Sequence, residues 1–187
     1  HGFLFGDSIY EVICTSQGKP CFLNEHLNRL YASASGISLE IPNTSKEIKE
    51  QIQNTLNSAG NDESYIRIIV TRGIGEVDID PSSCLNPNII IFVKGIPQIP
   101  AESYRKGVSI ALVSIKRNSA DSLNPAVKTG NYLNNVLARI EAQKMGAEDA
   151  IMVNSLGQLT ECTTSNLFFV KGGRLLTPVK ECGILSG

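Results

Sequence analysis

Two segments carry residues whose types and spacing could do chemistry. Lys128 stands in Val127-Lys128-Thr129-Gly130-Asn131-Tyr132-Leu133, just ahead of an amphipathic stretch. Further on comes Leu159-Thr160-Glu161-Cys162-Thr163-Thr164-Ser165-Asn166-Leu167-Phe168. The first offers an amine that can bond covalently to a carbonyl carbon. The second offers a carboxylate followed by hydroxyls and an amide, donors enough to cradle a phosphate. An amine, an acid and a phosphate-sized donor cluster are the protein parts a pyridoxal phosphate site needs.

Each part has a physical reason. A lysine must be partly unprotonated to hold the cofactor's aldehyde, and its ordinary pKa is about 10.4. Burial or a cationic neighbour must therefore act on it. Once free, the same amine can serve as the general base that moves a substrate α-proton. A carboxylate against the pyridine nitrogen keeps that nitrogen protonated. The phosphate asks for an arginine fork, hydroxyls and backbone amides. Taken singly, these residues have plain readings: a loop lysine, a strand-end acid, a turn with side-chain caps and, at Arg29, a solvated helix arginine.

The elements that must position them read as an α/β chain. Alternation predicts strands over 8–15, 65–71, 108–115 and 150–154, with later short strands over 167–170 and 174–176. Asn88 to Lys94 is almost wholly apolar, as expected at a sheet centre. Helices are expected from Asn24, with Leu23, Leu27, Leu30 and Tyr31 inward and Gly36 as the stop, and from Ser45 to Gly60 on Ile48, Ile52 and Leu56. A third, from about Asn131 to Met145, should bury Leu133, Val136, Leu137 and Ile140. Residues 116–125 are polar and turn-rich, and are the best linker. We therefore expect two small domains, 1–117 and 118–187, with the cofactor site in the cleft between them.

Composition narrows the classes. The 187 residues are 42% hydrophobic with a net charge of −1, enough for a core and without a basic stripe for nucleic acid. Apolar runs are of strand length, too short for a membrane span. The five cysteines at 14, 21, 84, 162 and 182 form no C-x-x-C pair, which suits reduced thiols in a cytoplasmic protein. The two histidines, His1 and His26, make no familiar metal spacing with them. The chain opens on His1-Gly2-Phe3-Leu4-Phe5 and closes on Gly183-Ile184-Leu185-Ser186-Gly187, so both ends read as internal to a longer protein.

Four segments in order resemble the class IV (fold-type IV) pyridoxal phosphate aminotransferases, a family of branched-chain aminotransferases, D-amino acid aminotransferases and aminodeoxychorismate lyases. They are Phe5-Gly6-Asp7-Ser8-Ile9-Tyr10-Glu11, then Glu25-His26-Leu27-Asn28-Arg29-Leu30, then Lys128 to Ala138, and last Gly157 to Phe168 with Thr177-Pro178 and Ile184-Leu185-Ser186-Gly187. The resemblance implies that Lys128 is the Schiff-base lysine and proton shuttle. It implies that Glu161 pairs with the pyridine nitrogen and that Arg29 binds the phosphate. Thr164, Ser165, Asn166 and Leu185 would lie on the cofactor side, Tyr132 near the phenolic oxygen, and Tyr10 along the substrate pocket. It also suggests a homodimer. Two departures stand out: Cys162 sits where glycine is usual, and the family's "I-T-R" continuation after the final glycine is absent from this chain.

Substrate choice is read from the loop Gly73-Ile74-Gly75-Glu76-Val77-Asp78-Ile79-Asp80-Pro81. The family's D-amino acid members place an arginine and a histidine there to trap a carboxylate. This loop has neither, and its three acids would repel one. The expected activity is transfer of an amino group between an amino acid and a 2-oxo acid, branched-chain-like. A D-amino acid aminotransferase, an aminodeoxychorismate lyase and a cofactor-free binding or dimerisation module are the alternatives.

Overall fold

Alternating apolar residues build the first sheet. In the computed structural model, which describes residues 1–187, strands β1 (Ser8–Ser16), β2 (Lys19–Pro20), β3 (Ser64–Thr71) and β4 (Asn88–Gly95) form an antiparallel sheet in the order β2-β1-β3-β4. Ile9 pairs with Val70 and Ile13 with Ile66, so the odd residues of β1 and the even residues of β3 share one face. That face is covered by helices α2 (Leu23–Gly36) and α3 (Ser45–Ala59), following a single turn of helix, α1 (Gly2–Phe5). Ile9, Ile13, Leu27, Leu30, Ile48, Ile52, Ile66, Ile68 and Val70 form the resulting core.

Helix ends follow local chemistry. Thr44 and Glu47 form a capping box: the Glu47 N–H donates to Thr44 Oγ1 at 3.3 Å, and the Thr44 N–H donates to Glu47 Oε2 at 2.6 Å. Gly60, at φ 63°, ends α3. Helix α2 departs from expectation. Its N-cap is Phe22 at φ 51°, with no side-chain cap, and Asn24 lies inside the first turn. The N–H of His26 donates to the Phe22 carbonyl, so a backbone bond sets the start that a side chain was expected to set.

Strand β4 also departs. Its apolar run was expected at a sheet centre, but it is an edge strand. Ile89, Ile91 and Val93 are only partly buried against the core, while Ile90 and Phe92 on the opposite face are 39% and 56% exposed. A continuous apolar run tells that both faces are oily, not how many neighbours the strand has.

The chain divides into two units, His1–Gln98 with Val127–Asn131, and Ile99–Ala126 with Tyr132–Gly187. The second unit begins with the short helix α4 (Ala101–Lys106). Its sheet pairs β5 (Ile110–Lys116) parallel to β6 (Asp149–Val153), which pairs antiparallel to β7 (Leu159–Cys162). A hairpin of β8 (Phe169–Lys171) and β9 (Arg174–Leu176) turns through Gly172-Gly173, both at positive φ.

Helix α5 (Leu133–Lys144) packs on this sheet with a different face from the one its large residues define. Ala138 and Ala142 are fully buried against Ala111, Val113, Ala150 and Met152. Leu133, Val136, Leu137 and Ile140, expected inward, are 70%, 49%, 45% and 42% exposed. The alanines let the helix approach the sheet closely, and the bulkier side chains are turned away. No helix is long and apolar enough to cross a membrane.

The tight α5–sheet contact leaves no room at Ala138. Ala138→Leu is expected to destabilise the second unit by about 1–3 kcal/mol. A fall in its thermal unfolding midpoint by circular dichroism checks this, and an unchanged midpoint would show that the contact has slack.

Candidate active site

In the first unit, the lysine segment is built into the sheet. The Tyr10 N–H donates to the Lys128 carbonyl at 3.0 Å and the Gly130 N–H donates to the Ser8 carbonyl at 2.7 Å, with Ile9 bridging antiparallel to Thr129. The Lys128 N–H donates to Ser33 Oγ of α2 at 3.2 Å. A Cβ at Gly130 would meet Ser8 Oγ at 2.2 Å, so the Ser8 hydroxyl would have to turn aside for any larger residue here. Lys128 is thereby fixed beside β1. Its ammonium lies 4.6 Å from the centre of the buried Tyr10 ring. The Arg67 guanidinium lies 4.2 Å from the same ring, and Arg67 Nε is buried without a hydrogen-bond partner.

On the opposite face of β1, Glu11 is completely buried and grips α2. Arg29 Nε donates to Glu11 Oε1 at 2.6 Å and Arg29 Nη2 to Oε2 at 2.8 Å, while His26 Nδ1 lies 2.8 Å from Oε2. Burial pushes the Glu11 carboxyl up. The hydrogen bonds and charges of Arg29 and His26 outweigh that and hold it below its ordinary 4.5. Arg29 is therefore an oriented cation rather than a solvated helix arginine.

In the second unit, Glu161 ends strand β7 and is buried. Its Oε1 accepts from Arg117 Nη2 at 2.8 Å and its Oε2 from the Leu185 N–H at 2.9 Å. Arg117 Nη1 donates to Asn135 Oδ1 at 3.1 Å, and Asn135 Nδ2 donates to the Thr163 carbonyl at 2.7 Å. The turn after Glu161 is closed by the Cys162 N–H on the Ser165 carbonyl at 2.9 Å, and Asn166 Nδ2 donates to the Leu185 carbonyl at 2.9 Å. Cys162 lies in extended backbone, so glycine is not required there. Burial, with Asp149 nearby, pushes its thiol up, which makes it a poor thiolate. Tyr132 and Thr164 line one hollow of about 500 Å³ with Asn135, Arg139 and Thr163.

Each unit thus gathers its own share of the residues singled out from sequence. Lys128 meets Tyr10 and Arg29 is fixed by Glu11. Glu161 and Asn166 both bond to the Leu185 backbone, Ser165 accepts from the Cys162 N–H beside Glu161, and Tyr132 shares a hollow with Thr164. Sequence reading did not find Arg117, Asn135, Glu11, His26 or Arg67 as parts of these groups. Glu11 had a signal, being a charged residue at an inward position of a strand.

A family model described as amino-transferase class IV matches residues 8–187. The chain belongs to the class IV aminotransferases. A provisionally named branched-chain-amino-acid aminotransferase of Methanocaldococcus jannaschii is 39% identical over the whole chain, which spans 64% of that relative's length. A D-alanine aminotransferase of Listeria monocytogenes is 30% identical, again over the whole chain and 63% of the relative. Among solved structures, the branched-chain aminotransferase of the thermophilic archaeon Thermoproteus uzoniensis with norvaline superposes with a TM-score of 0.91 at 28% identity, covering all of this chain and 63% of that one.

The residues present fit the cofactor of this pyridoxal phosphate-dependent family. A ring nitrogen needs a carboxylate that stays charged and still, and Glu161 is held by a guanidinium and a backbone amide. A phosphate needs an arginine with a set orientation, and Arg29 has one.

Glu11→Gln tests that orientation. Leaving Arg29 without its buried carboxylate is expected to cost about 3 kcal/mol at neutral pH. Because the folded Glu11 pKa is depressed, its contribution is present above 4.5 and is lost as pH falls through and below that value. The stability gap between the native chain and Glu11→Gln should therefore close on acidification below 4.5. Urea titrations at neutral pH and in that acid range measure it. A gap independent of pH would place the stabilisation elsewhere.

Proposed function

We propose that this protein is a pyridoxal phosphate-dependent aminotransferase that moves an amino group between a branched-chain amino acid and a 2-oxo acid. The observation that carries the reading is Lys128, fixed to β1 by backbone hydrogen bonds with its ammonium against Tyr10.

When bound, pyridoxal phosphate supplies an aldehyde carbon that exchanges the amino group and a ring that accepts electron density. Lys128 would hold the cofactor covalently through its aldehyde, and its amine, once displaced by substrate, would serve as the base that moves the α-proton of the amino acid. Glu161 would pair with the ring nitrogen and keep it protonated. Arg29 would bind the phosphate, with Thr164, Ser165, Asn166 and Leu185 on the cofactor side. Tyr132 would lie near the phenolic oxygen, and Tyr10 would line the substrate pocket.

The substrate assignment is supported by the name of the Methanocaldococcus relative and by the Gly73–Pro81 loop. That loop carries exposed Glu76 and Asp78, while Asp80 is spent capping the Ser82 N–H at 2.9 Å. It offers a carboxylate no cation. The Listeria relative keeps D-alanine as the competing donor. A cytoplasmic homodimer completes the reading, consistent with five free thiols.

The test is the visible spectrum of the protein supplied with cofactor, before and after borohydride, with peptide mapping. A yellow protein reduced to a stable adduct on Lys128 is expected, and Lys128→Ala should form none. An adduct that survives Lys128→Ala would sink the assignment. With 2-oxoglutarate as acceptor, L-leucine and L-valine should turn over and D-alanine should not; the reverse order would install the D-amino acid reading. Arg29→Ala should weaken binding of pyridoxal phosphate by about tenfold or more, as loss of a charge-assisted bond does. It should leave the binding of pyridoxal, which has no phosphate, unchanged. Equal losses for both would remove Arg29 from the phosphate.

A further inference from the structure

Arg117 contributes a second buried cation that the mechanism above does not use. It follows strand β5, where the sequence turns polar. Its own N–H donates to the Val153 carbonyl of β6 at 2.9 Å, which anchors its backbone to the sheet. Its side chain is 8% exposed, as is that of Glu161. The guanidinium is held at two points: Nη2 on Glu161 Oε1 at 2.8 Å and Nη1 on Asn135 Oδ1 at 3.1 Å. Asn135 is tied in turn to the Thr163 carbonyl. The relay thus runs from a backbone carbonyl through an amide and a guanidinium to one oxygen of Glu161, while the Leu185 N–H fixes the other.

This is a poor arrangement if its purpose is stability. Arg117 Nε is buried with no partner. An arginine lodged only to strengthen the fold would gain by satisfying that N–H, and buried ion pairs commonly do no better than apolar residues of the same size. What the arrangement achieves is direction. Each Glu161 oxygen is pinned, Oε1 by the Arg117 guanidinium and Oε2 by the Leu185 N–H, so the carboxylate plane has a fixed direction. A neighbouring guanidinium also favours the charged carboxylate over the neutral acid.

We propose that Arg117 is the positioning residue of Glu161, holding its carboxylate charged and aimed at the cofactor's ring nitrogen. The inference rests on the reading of Glu161 under Proposed function. Arg117 does not touch the cofactor; it acts through the acid, with Asn135 as its anchor.

The test compares two ligands that differ at the ring nitrogen alone, pyridoxal phosphate and its 1-deaza analogue, in which carbon replaces that nitrogen. Dissociation constants are measured by absorbance titration for the full chain and for Arg117→Met, Arg117→Lys and Asn135→Ala. The unsubstituted protein should prefer the natural cofactor. Arg117→Met should cut that preference by about tenfold to a hundredfold, the range seen when outer hydrogen-bond partners of a ligating side chain are removed. Arg117→Lys, which keeps the charge and loses the fork, should recover part of it. Should Arg117→Met fail to fold, Asn135→Ala carries the test, because it releases the guanidinium without removing its charge; a reduced preference supports the proposal. An arginine that is only structural would weaken both ligands equally, and an unchanged preference in these variants overturns the proposal while leaving cofactor binding intact. An unsubstituted protein that binds neither ligand overturns the reading of the site itself, and the inference with it.

Discussion

Strand β1 sends consecutive side chains to opposite faces of its sheet, and that constraint organises the first unit. Ile9, Glu11 and Ile13 point to the helices, and Glu11 there fixes Arg29 and His26. Tyr10 points the other way and meets Lys128 and Arg67. One strand thus serves the core, the arginine and the lysine at once, with no residue to spare between Ile9 and Glu11. The lysine is brought to it by backbone bonds, which each contribute only about 0.5–1.5 kcal/mol net but leave little positional freedom. Their geometry then limits composition. A Cβ at Gly130 would displace the Ser8 hydroxyl, and one at Gly36, at the end of α2, would come within 2.7 Å of the Val127 side chain.

A second fork ties the same strand's entrance to the end of β3. Arg72 Nε and Nη2 donate to the two oxygens of Asp7 at 2.8 and 3.0 Å, and Arg72 also donates to the carbonyls of Ile37 and Ser38 after α2. The register of β1 against β3 and the exit of α2 are therefore locked together by one side chain. Ser38 takes a left-handed backbone at that point, φ 51°, a strain the fork helps to hold.

Elements defined by local rules were legible in the sequence. The alternation over residues 8–15 and 65–71, and the inward stripe of Ile48 and Ile52 before Gly60, carry their own period and stop signals. Lys128 and Glu161 stood out as candidates because an amine and an acid are conspicuous beside glycine, tyrosine and a run of hydroxyls. What was not legible depends on neighbours far along the chain. The edge position of β4 is a fact about pairing, which its uniform apolar run leaves open. The packing face of α5 is set by alanines, and a stripe of Leu, Val and Ile outweighs alanines on any hydrophobic count. Arg117 sat in a polar, turn-rich stretch that looked like a linker, and nothing local announces that Glu161 and Asn135 would receive it.

The two units arrive at the same device by different routes. Each buries a carboxylate at a strand and meets it with an arginine: Glu11 of β1 with Arg29 from α2, and Glu161 of β7 with Arg117 from the segment after β5. The roles are inverted. In the first unit the acid is completely buried and the arginine is the more exposed partner, 22% against 0%, so the acid serves the cation. In the second unit both are 8% exposed, and the arginine's outer nitrogen is held by Asn135 while its inner one goes unsatisfied, so the cation serves the acid. Buried pairs are a weak source of net stability, but each fixes one charged group in a defined direction. The proposed reaction would need a cation for a phosphate and an anion for a ring nitrogen, and in each unit the fold fixes a charge of one sign by burying one of the other against it.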